Sequence, residues 1–377
     1  MRRASEGERA LLGETFVALC EIPSPSGDER ACADHLLAQL EHLGLEPDED
    51  GAGPGVGANA GNLYARVPGQ SERSVMLCAH MDTVPPTAPL RPVLVDGGWE
   101  NAEDTILGAD NKAAVAVMVE LARRLRSSSE PPPVGLELVF TVSEENGLHG
   151  AKAFDVTRLH SPFGYVFDHA TPIGEIVIAS PTYHRITAEI RGRAAHAGLQ
   201  PELGRSAIAA AATAIAAMEL GRLDAETTAN IGTIRGGTAA NVVPERCLIE
   251  GEVRGIDERR VEEVATALID RLQDGADAGE CDLDVTVERM FSGYRLAPKA
   301  PPVAVAERAL RACGYEPRPV VSGGGSDANA FEAVGYPCAN LANGTERAHQ
   351  PTERVSVDAL EGMYEVAIAL LEAAGDE

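Results

Sequence analysis

Aromatic residues, lysines and long apolar runs are all scarce in this sequence. Phe, Trp and Tyr make up 4% of its 377 residues, so aliphatic side chains must fill most of the core of a chain that is 44% hydrophobic. No segment approaches the roughly 18 consecutive apolar residues of a transmembrane helix. The opening stretch, MRRASEGERALLGETF, also lacks the apolar run of a signal peptide. We therefore expect no membrane contact.

Positive charge and paired cysteines are scarce as well. The chain has 32 Lys and Arg against 58 Asp and Glu, a net charge of −26. A surface this acidic repels nucleic acid and anionic lipid, so neither is an expected partner. The seven cysteines include no CxxC pair, which argues against a disulfide framework and a structural zinc knot. Free thiols favour a reducing compartment, and we predict a cytoplasmic protein.

The order of the predicted elements changes twice along the chain. Before about residue 180, apolar strands alternate with helical patterns, which favours an α/β fold with a mainly parallel sheet. Residues 181–293 follow the order β-α-β-β-α-β, which is typical of a ferredoxin-like α+β domain. We predict one α/β domain formed by residues 1–180 and 294–377, with the α+β domain inserted between them.

Three predicted strands of the first domain lead into potential metal ligands. SVMLCAH ends at His80, LELVFTV runs into Glu145, and YVF is followed by Asp168. Sites in open α/β sheets form where the carboxyl ends of the strands meet. One such residue alone is usually structural, but three at one sheet edge indicate a metal site.

Two further residues have strong alternative interpretations. Asp110 stands where a predicted helix begins, so its carboxylate could simply cap that helix, or it could bridge two metal ions. His349 lies in a predicted loop before the last helix, where a lone histidine is normally a solvated side chain. The metal-ligand interpretation of both residues is strengthened by the three potential ligands at the strand ends.

The motifs around these residues resemble one enzyme family. The sequence is similar, over nearly its whole length, to the peptidase T branch of the superfamily that contains aminoacylase, acetylornithine deacetylase and succinyl-diaminopimelate desuccinylase. The resemblance is carried by LCAHMDTV, ILGADNKAA, FTVSEENGLHGAKAFD, GGTAANVVPERC, SGGGSDANAF and AHQPTERV. It implies a catalytic α/β domain with an inserted lid, which in many members is also the dimerisation domain, so a homodimer is possible.

The resemblance also implies a role for each matching residue. One metal would be bound by His80 and Asp168, the other by Glu145 and His349, and Asp110 would bridge the two. Asp82 would orient His80, and Glu144 would be the general base. A cis peptide bond after Asp110 is a further expectation.

Elementary chemistry is consistent with these roles. Residues i and i+2 of an extended segment project to the same side, so Asp82 can hold the free ring nitrogen of a metal-bound His80. Three ligating carboxylates and one hydroxide balance two divalent ions. Imidazole and carboxylate ligands without thiolate suit Zn²⁺, Mn²⁺ or Co²⁺, and Zn²⁺ is the default expectation.

Three residues of the inserted domain match substrate contacts of the family. His196 would contact the substrate or the oxyanion, Asn241 the substrate, and Arg254 an α-carboxylate through a bidentate pair. Their alternatives are a solvated loop histidine, a turn asparagine and a surface salt bridge.

We therefore predict an exopeptidase of the tripeptidase or aminopeptidase type that hydrolyses short peptides with a two-metal-activated water. The alternative enzyme is an N-acyl amino acid deacylase on the same scaffold. The alternative that is not an enzyme is a non-catalytic binding homologue. Such a homologue should have lost metal ligands, and here all five ligand positions are filled.

Overall fold

The structure is a computed structural model that describes residues 3–375. The chain forms two compact units. One runs to Ile178 and also includes Leu296–Val321 and the chain from Ser326 onward. The other consists of Ala179–Arg295 and Ser322–Gly325. None of the helices in the described residues is both long and apolar enough to span a membrane.

Helices and strands alternate along most of the chain. The first are α1 Glu6–Cys20, α2 Arg30–His42, β1 Asp48–Glu49, α3 Gly53–Val56, β2 Leu63–Val67, β3 Ser74–His80, β4 Pro92–Val95, β5 Gly98–Asn101, α4 Ala109–Ser127, β6 Gly135–Thr141, α5 His149–Ala153, β7 Gly164–His169 and β8 Glu175–Ser180. Next come β9 Thr182–Arg191, α6 Ala207–Ala216, β10 Gly221–Arg222, β11 Thr227–Gly236, β12 Arg246–Gly255, α7 Glu258–Ala278, β13 Asp282–Phe291 and β14 Tyr294–Arg295. The last are α8 Pro301–Ala312, β15 Arg318–Val321, α9 Asp327–Ala333, β16 Cys338–Ala342, β17 Thr345–Glu346, β18 Arg354–Ser356 and α10 Val357–Gly375.

The first unit is built on a large sheet with the strand order β1-β2-β6-β3-β7-β16-β8. The four central strands, β6 to β16 in that order, are parallel, whereas β2 and β8 join them antiparallel. Every residue of β3 and β6 is buried, as their nearly continuous apolar sequences predict for parallel strands covered on both faces. The predicted α/β fold is confirmed, and its sheet is mixed.

A second, smaller sheet of this unit was not predicted. Its order is β17-β18-β5-β4, and all three pairings are antiparallel. Asp96 and Gly97 join β4 to β5 with φ of 47° and 72°, the left-handed conformation that a two-residue hairpin turn requires. The Asp-Gly pair was therefore a readable hairpin signal. The sheet matters because His349 lies in the loop between β17 and β18.

The second unit has an antiparallel sheet of order β10-β11-β12-β9-β13, packed against α6 and α7. Without the short β10, the element order and strand order are ferredoxin-like. Aliphatic side chains such as Ile186, Ile190 and Leu272 form its core. The Ala-rich α6 and α7 pack closely together. A Cβ on Gly275 of α7 would lie only 2.6 Å from the carbonyl oxygen of Ala210 in α6, so the small residues of both helices permit this approach.

Candidate metal centre

The central sheet brings three predicted site residues to one edge. His80 is the last residue of β3, Asp168 is near the end of β7, and β3 pairs in parallel with both β6 and β7. Glu145 lies four residues beyond the end of β6. Their shared position follows from the parallel register, as the sequence pattern predicted.

Asp110 occupies the first turn of α4 in a conformation that is not helical. Its φ and ψ are −85° and 100°, and the peptide bond between Asp110 and Asn111 is cis. Oδ1 of the Asp110 carboxylate accepts no hydrogen bond, and Oδ2 lies 3.4 Å from Nε2 of His349. The capping bond of the alternative interpretation is therefore not formed, and the carboxylate faces two imidazoles instead.

The two oxygens of Asp110 point to different histidines. Oδ1 lies 3.6 Å from Nε2 of His80, and Oδ2 lies 3.4 Å from Nε2 of His349. On the His80 side, Oδ1 of Asp168 lies 3.6 Å from the same Nε2. On the His349 side, Oε1 of Glu145 lies 2.8 Å from Nε2 of His349. Two ligands bound tetrahedrally to one zinc at about 2.0–2.1 Å are about 3.4 Å apart, so three of these four separations suit a shared ion.

Two of these atoms are buried without a hydrogen-bond partner. They are Nε2 of His80 and Oδ1 of Asp110. An unsatisfied buried polar atom typically costs about 1–3 kcal/mol. A divalent cation between these groups would satisfy both atoms, and imidazole with carboxylate is a donor set that fits such an ion. The residues present therefore fit a two-metal centre.

The electrostatics of the cluster also call for added positive charge. Burial acts to lower the pKa of His80, but the carboxylates of Asp110 and Asp168 outweigh it and hold that pKa well above its usual range. The carboxylates of Asp110 and Glu145 raise the pKa of His349 to about 10. Burial and then the charge of Asp110 raise the pKa of Asp168. Carboxylates packed this closely favour the protonated form of neighbouring groups, because each bound proton offsets negative charge. Bound metal ions would supply that positive charge instead.

His80 is oriented by Asp82, but mainly through the main chain. Nδ1 of His80 lies 2.8 Å from the carbonyl oxygen of Asp82 and 3.5 Å from its carboxylate. The carboxylate has other partners, because it accepts the N–H groups of Glu144 and Glu145 at 3.0 and 3.2 Å and the hydroxyl of Ser26 at 2.6 Å. Asp82 thus joins the end of β3 to the turn that carries the two glutamates.

Glu144 projects into the buried side of the cluster. The residue is 8% exposed, and its carboxylate forms a compact group with His80 and Asp168. Burial and then the charge of Asp168 raise the pKa of Glu144 well above its usual value. Ser143 precedes it with φ of 50° and is held by the buried carboxylate of Glu29.

Sequence reasoning missed three buried acidic residues around the site. They are Glu29, Asp327, which accepts the hydroxyl of Thr141, and Glu353, which accepts three backbone N–H groups near Asp110. None has a spacing that marks it as a ligand, so no sequence signal could have found them.

The three predicted substrate contacts belong to the second unit. His196 and Asn241 are neighbours, because the N–H of Ala197 donates to the carbonyl oxygen of Asn241 at 3.0 Å. Both side chains are exposed. The guanidinium of Arg254 binds both carboxylate oxygens of Glu252, at 3.2 and 3.0 Å, and lies 4.3 Å from the ring centre of Tyr183. Arg254 thus makes the salt bridge that was its alternative interpretation, and its role toward a substrate stays a prediction.

Comparison with known proteins gives consistent matches. The model of Peptidase family M20/M25/M40 matches residues 76–373. An uncharacterized protein of Bacillus subtilis, YqjE, is 35% identical over 97% of this chain and 99% of its own length. The crystal structure of aminopeptidase PepT from Bacillus cereus is 38% identical, with a TM-score of 0.87 over 97% of this chain and 98% of its own. The structure of a Staphylococcus aureus tripeptidase is 33% identical, with a TM-score of 0.92 over 98% and 99%.

These matches confirm the resemblance to peptidase T-like enzymes. They also confirm the predicted enzyme class, a hydrolase, and the predicted reaction, metal-dependent hydrolysis of peptides.

Proposed function

Because this chain belongs to peptidase family M20/M25/M40, we propose that it is an exopeptidase that cleaves short peptides at a two-metal centre. The proposed ligands are His80, Asp110, Glu145, Asp168 and His349. The observation that carries the proposal is the carboxylate of Asp110, which directs one oxygen to each of two imidazoles. A carboxylate in that position can bind two ions at once.

Each ion would have one imidazole, one carboxylate of its own and a share of Asp110. His80 and Asp168 form the first set, and Glu145 and His349 form the second. Zn²⁺ is the ion we favour, because the ligands are nitrogen and oxygen without thiolate and their separations suit tetrahedral coordination. Co²⁺ and Mn²⁺ suit the same donors. Bound divalent ions would supply Lewis acidity toward the scissile carbonyl and a water of lowered pKa.

Glu144 is the proposed general base. Its carboxylate reaches the same compact group as His80 and Asp168 without being needed as a ligand in either set. It would take a proton from the attacking water and deliver it to the nitrogen of the leaving amine. Asp82 fixes the main chain at Glu144 and Glu145 through two hydrogen bonds, so one glutamate can bind metal while its neighbour moves protons.

Short, free peptides are the proposed substrates. The aminopeptidase and the tripeptidase, which align with nearly the whole chain, support this class. We assign His196, Asn241 and Arg254 to substrate binding, with Arg254 taking a carboxylate of the peptide. The fork of Arg254 is already held in place by Glu252 and Tyr183, so it would lose little conformational freedom on binding.

A reducing cytoplasm and a homodimer complete the proposal. All seven cysteines are free, and six of them are buried, which supports a compartment without disulfide formation. A dimer through the second unit is suggested by the resemblance, in which the inserted lid is also a dimerisation domain.

The test combines metal content with a substrate panel. The Glu144→Ala variant should keep two ions per chain but lose turnover by about 10²–10⁴-fold, the usual contribution of a general acid–base group. The wild-type protein should hydrolyse free tripeptides in preference to N-acetyl or N-succinyl amino acids. Hydrolysis confined to the acylated compounds would identify the protein as a deacylase and contradict the peptidase proposal. Undetectable metal after chelator-free purification would favour a non-catalytic protein.

A further inference from the structure

Glu353 is buried beside the proposed metal centre without being one of its ligands. Its side chain is 1% exposed. Oε2 accepts the N–H groups of Leu107 and Gly108, each at 2.8 Å, and Oε1 accepts the N–H of Asp110 at 2.9 Å. One carboxylate therefore binds three donors in the four residues 107–110, and the last donor belongs to the residue that faces both histidines.

The chain around Glu353 is itself well fixed. The next residue begins β18, which pairs with both β5 and β17. The N–H of Glu353 donates to the carbonyl oxygen of Gln350 at 2.9 Å, which closes a turn just after His349. The carboxylate thus extends from the His349 loop to the Asp110 loop, although the two loops are far apart in sequence.

We propose that Glu353 is a positioning residue that holds these two loops together and so sets the affinity of the ion between Asp110 and His349. The inference rests on the proposed two-metal function. Neither the position of Glu353 in the sequence nor the proposed set of five metal ligands implies this role. Second-layer hydrogen bonds of this kind typically change metal affinity by about 10–100-fold.

The effect should be unequal at the two ions. His80 and Asp168 stand on β3 and β7, which are hydrogen-bonded to each other in the central sheet, so their spacing does not depend on Glu353. His349 stands on a loop with φ of 65°, and its side chain is 50% exposed. Its approach to Asp110 depends on what joins the two loops, and within the described residues Glu353 makes the hydrogen bonds that do so.

A purely structural role for Glu353 predicts a different outcome. The carboxylate could stabilise the start of α4 and leave metal binding alone. Glu137 offers a matched control, because it is fully buried and also accepts two backbone N–H groups, from His160 and Ser161, together with the hydroxyl of Tyr64. It lies on β6, four residues before Thr141 and so about 13 Å from the carboxyl end of that strand.

The experiment compares metal retention in Glu353→Gln, Glu137→Gln and the wild type. Each full-length protein is loaded with Zn²⁺ and titrated with a chelator, and retained metal is counted by elemental analysis while unfolding is followed by circular dichroism. In Glu353→Gln, the more weakly held ion should be released at about 10–100-fold lower chelator concentration, whereas the other ion shifts less than about threefold. Glu137→Gln should lose thermal stability but keep the wild-type release curve.

The outcomes separate this inference from the proposed function. A wild type that retains fewer than two ions contradicts the two-metal proposal itself. A wild type with two ions, but equal release curves for Glu353→Gln and Glu137→Gln, contradicts only the role of Glu353. If Glu353→Gln does not fold, Glu353→Asp keeps the charge and shortens the reach by one methylene. It should show the same selective weakening of one ion, and an unchanged release curve for this variant would overturn the proposal.

Discussion

The two halves of the proposed metal centre are built differently. His80 and Asp168 project from adjacent parallel strands, and the side chain of His80 is 1% exposed. Glu145 and His349 stand on a turn and a loop, and the side chain of His349 is 50% exposed. Backbone hydrogen bonds of the sheet fix the first half. The loops and turns of the second half are held instead by side-chain carboxylates that accept backbone N–H groups. These carboxylates are those of Asp82, Glu29 and Glu353.

This difference shows how one site can combine a rigid part with an adjustable part. A strand-built pair keeps its spacing as long as the sheet is folded. A loop-built pair keeps it only while buried carboxylates bind the right N–H groups, so a single substitution can loosen it. Asp110 belongs to both halves, so of the substitutions that compare them, its replacement should have the largest effect.

Replacing Asp110 should disable both halves at once. In Asp110→Ala, each ion loses a ligand, and loss of the ions removes several kcal/mol of transition-state stabilisation, or about 10³-fold in kcat/KM. The measurement is metal content together with hydrolysis of a free tripeptide. Asp104→Ala, which removes an exposed carboxylate a few residues earlier, is the control and should behave like the wild type. Two tightly held ions in Asp110→Ala would show that the two halves do not share it.

Replacing one histidine at a time should separate the halves. His349→Ala should keep one ion per chain, because the strand-built pair is intact without that loop. His80→Ala should instead lose the buried ion and leave the second set, Glu145 with His349. The measurement is the zinc content of each variant, with competition by a chelator. Loss of both ions in His349→Ala would mean that the strand-built half is not an independent site.

A smaller effect is expected at Asp82, which joins the halves without binding metal. In Asp82→Asn, one carboxylate oxygen is lost as an acceptor for the N–H groups of Glu144 and Glu145. We expect kcat/KM to fall by about 10–100-fold with two ions retained. Ser26→Ala removes only the hydroxyl donor to the same carboxylate. We therefore expect kcat/KM to fall only roughly fivefold, which corresponds to about 1 kcal/mol. Equal effects of the two substitutions would argue against the role of those N–H bonds.

The strand-built half was also the more predictable. Apolar runs ending in His80 and near Asp168 indicate strand ends at one sheet edge, and the parallel register brings the ends together. Asp110 and His349 had equally good alternatives as a helix cap and a solvated loop residue. The resemblance, not the local pattern, favoured them as ligands.

What holds the loops could not be predicted from the sequence. Glu353 and Asp110 are distant in sequence, and a side-chain to backbone hydrogen bond leaves no periodic pattern. The orientation of His80 by the carbonyl of Asp82 could not be foreseen either, because an HxD spacing fits a bond to the carboxylate as well as to the main chain. The hairpin of β4 and β5 differs in this respect, because Asp96-Gly97 is a typical sequence for its turn.

Anomalous diffraction at the zinc edge, from crystals of the full chain grown with Zn²⁺, tests the two-metal centre most directly. We predict two peaks about 3.5–4 Å apart, one beside His80 and Asp168, the other beside Glu145 and His349, with Asp110 between them. A single peak, or two peaks that Asp110 does not bridge, would contradict the two-metal centre on which the proposed function depends.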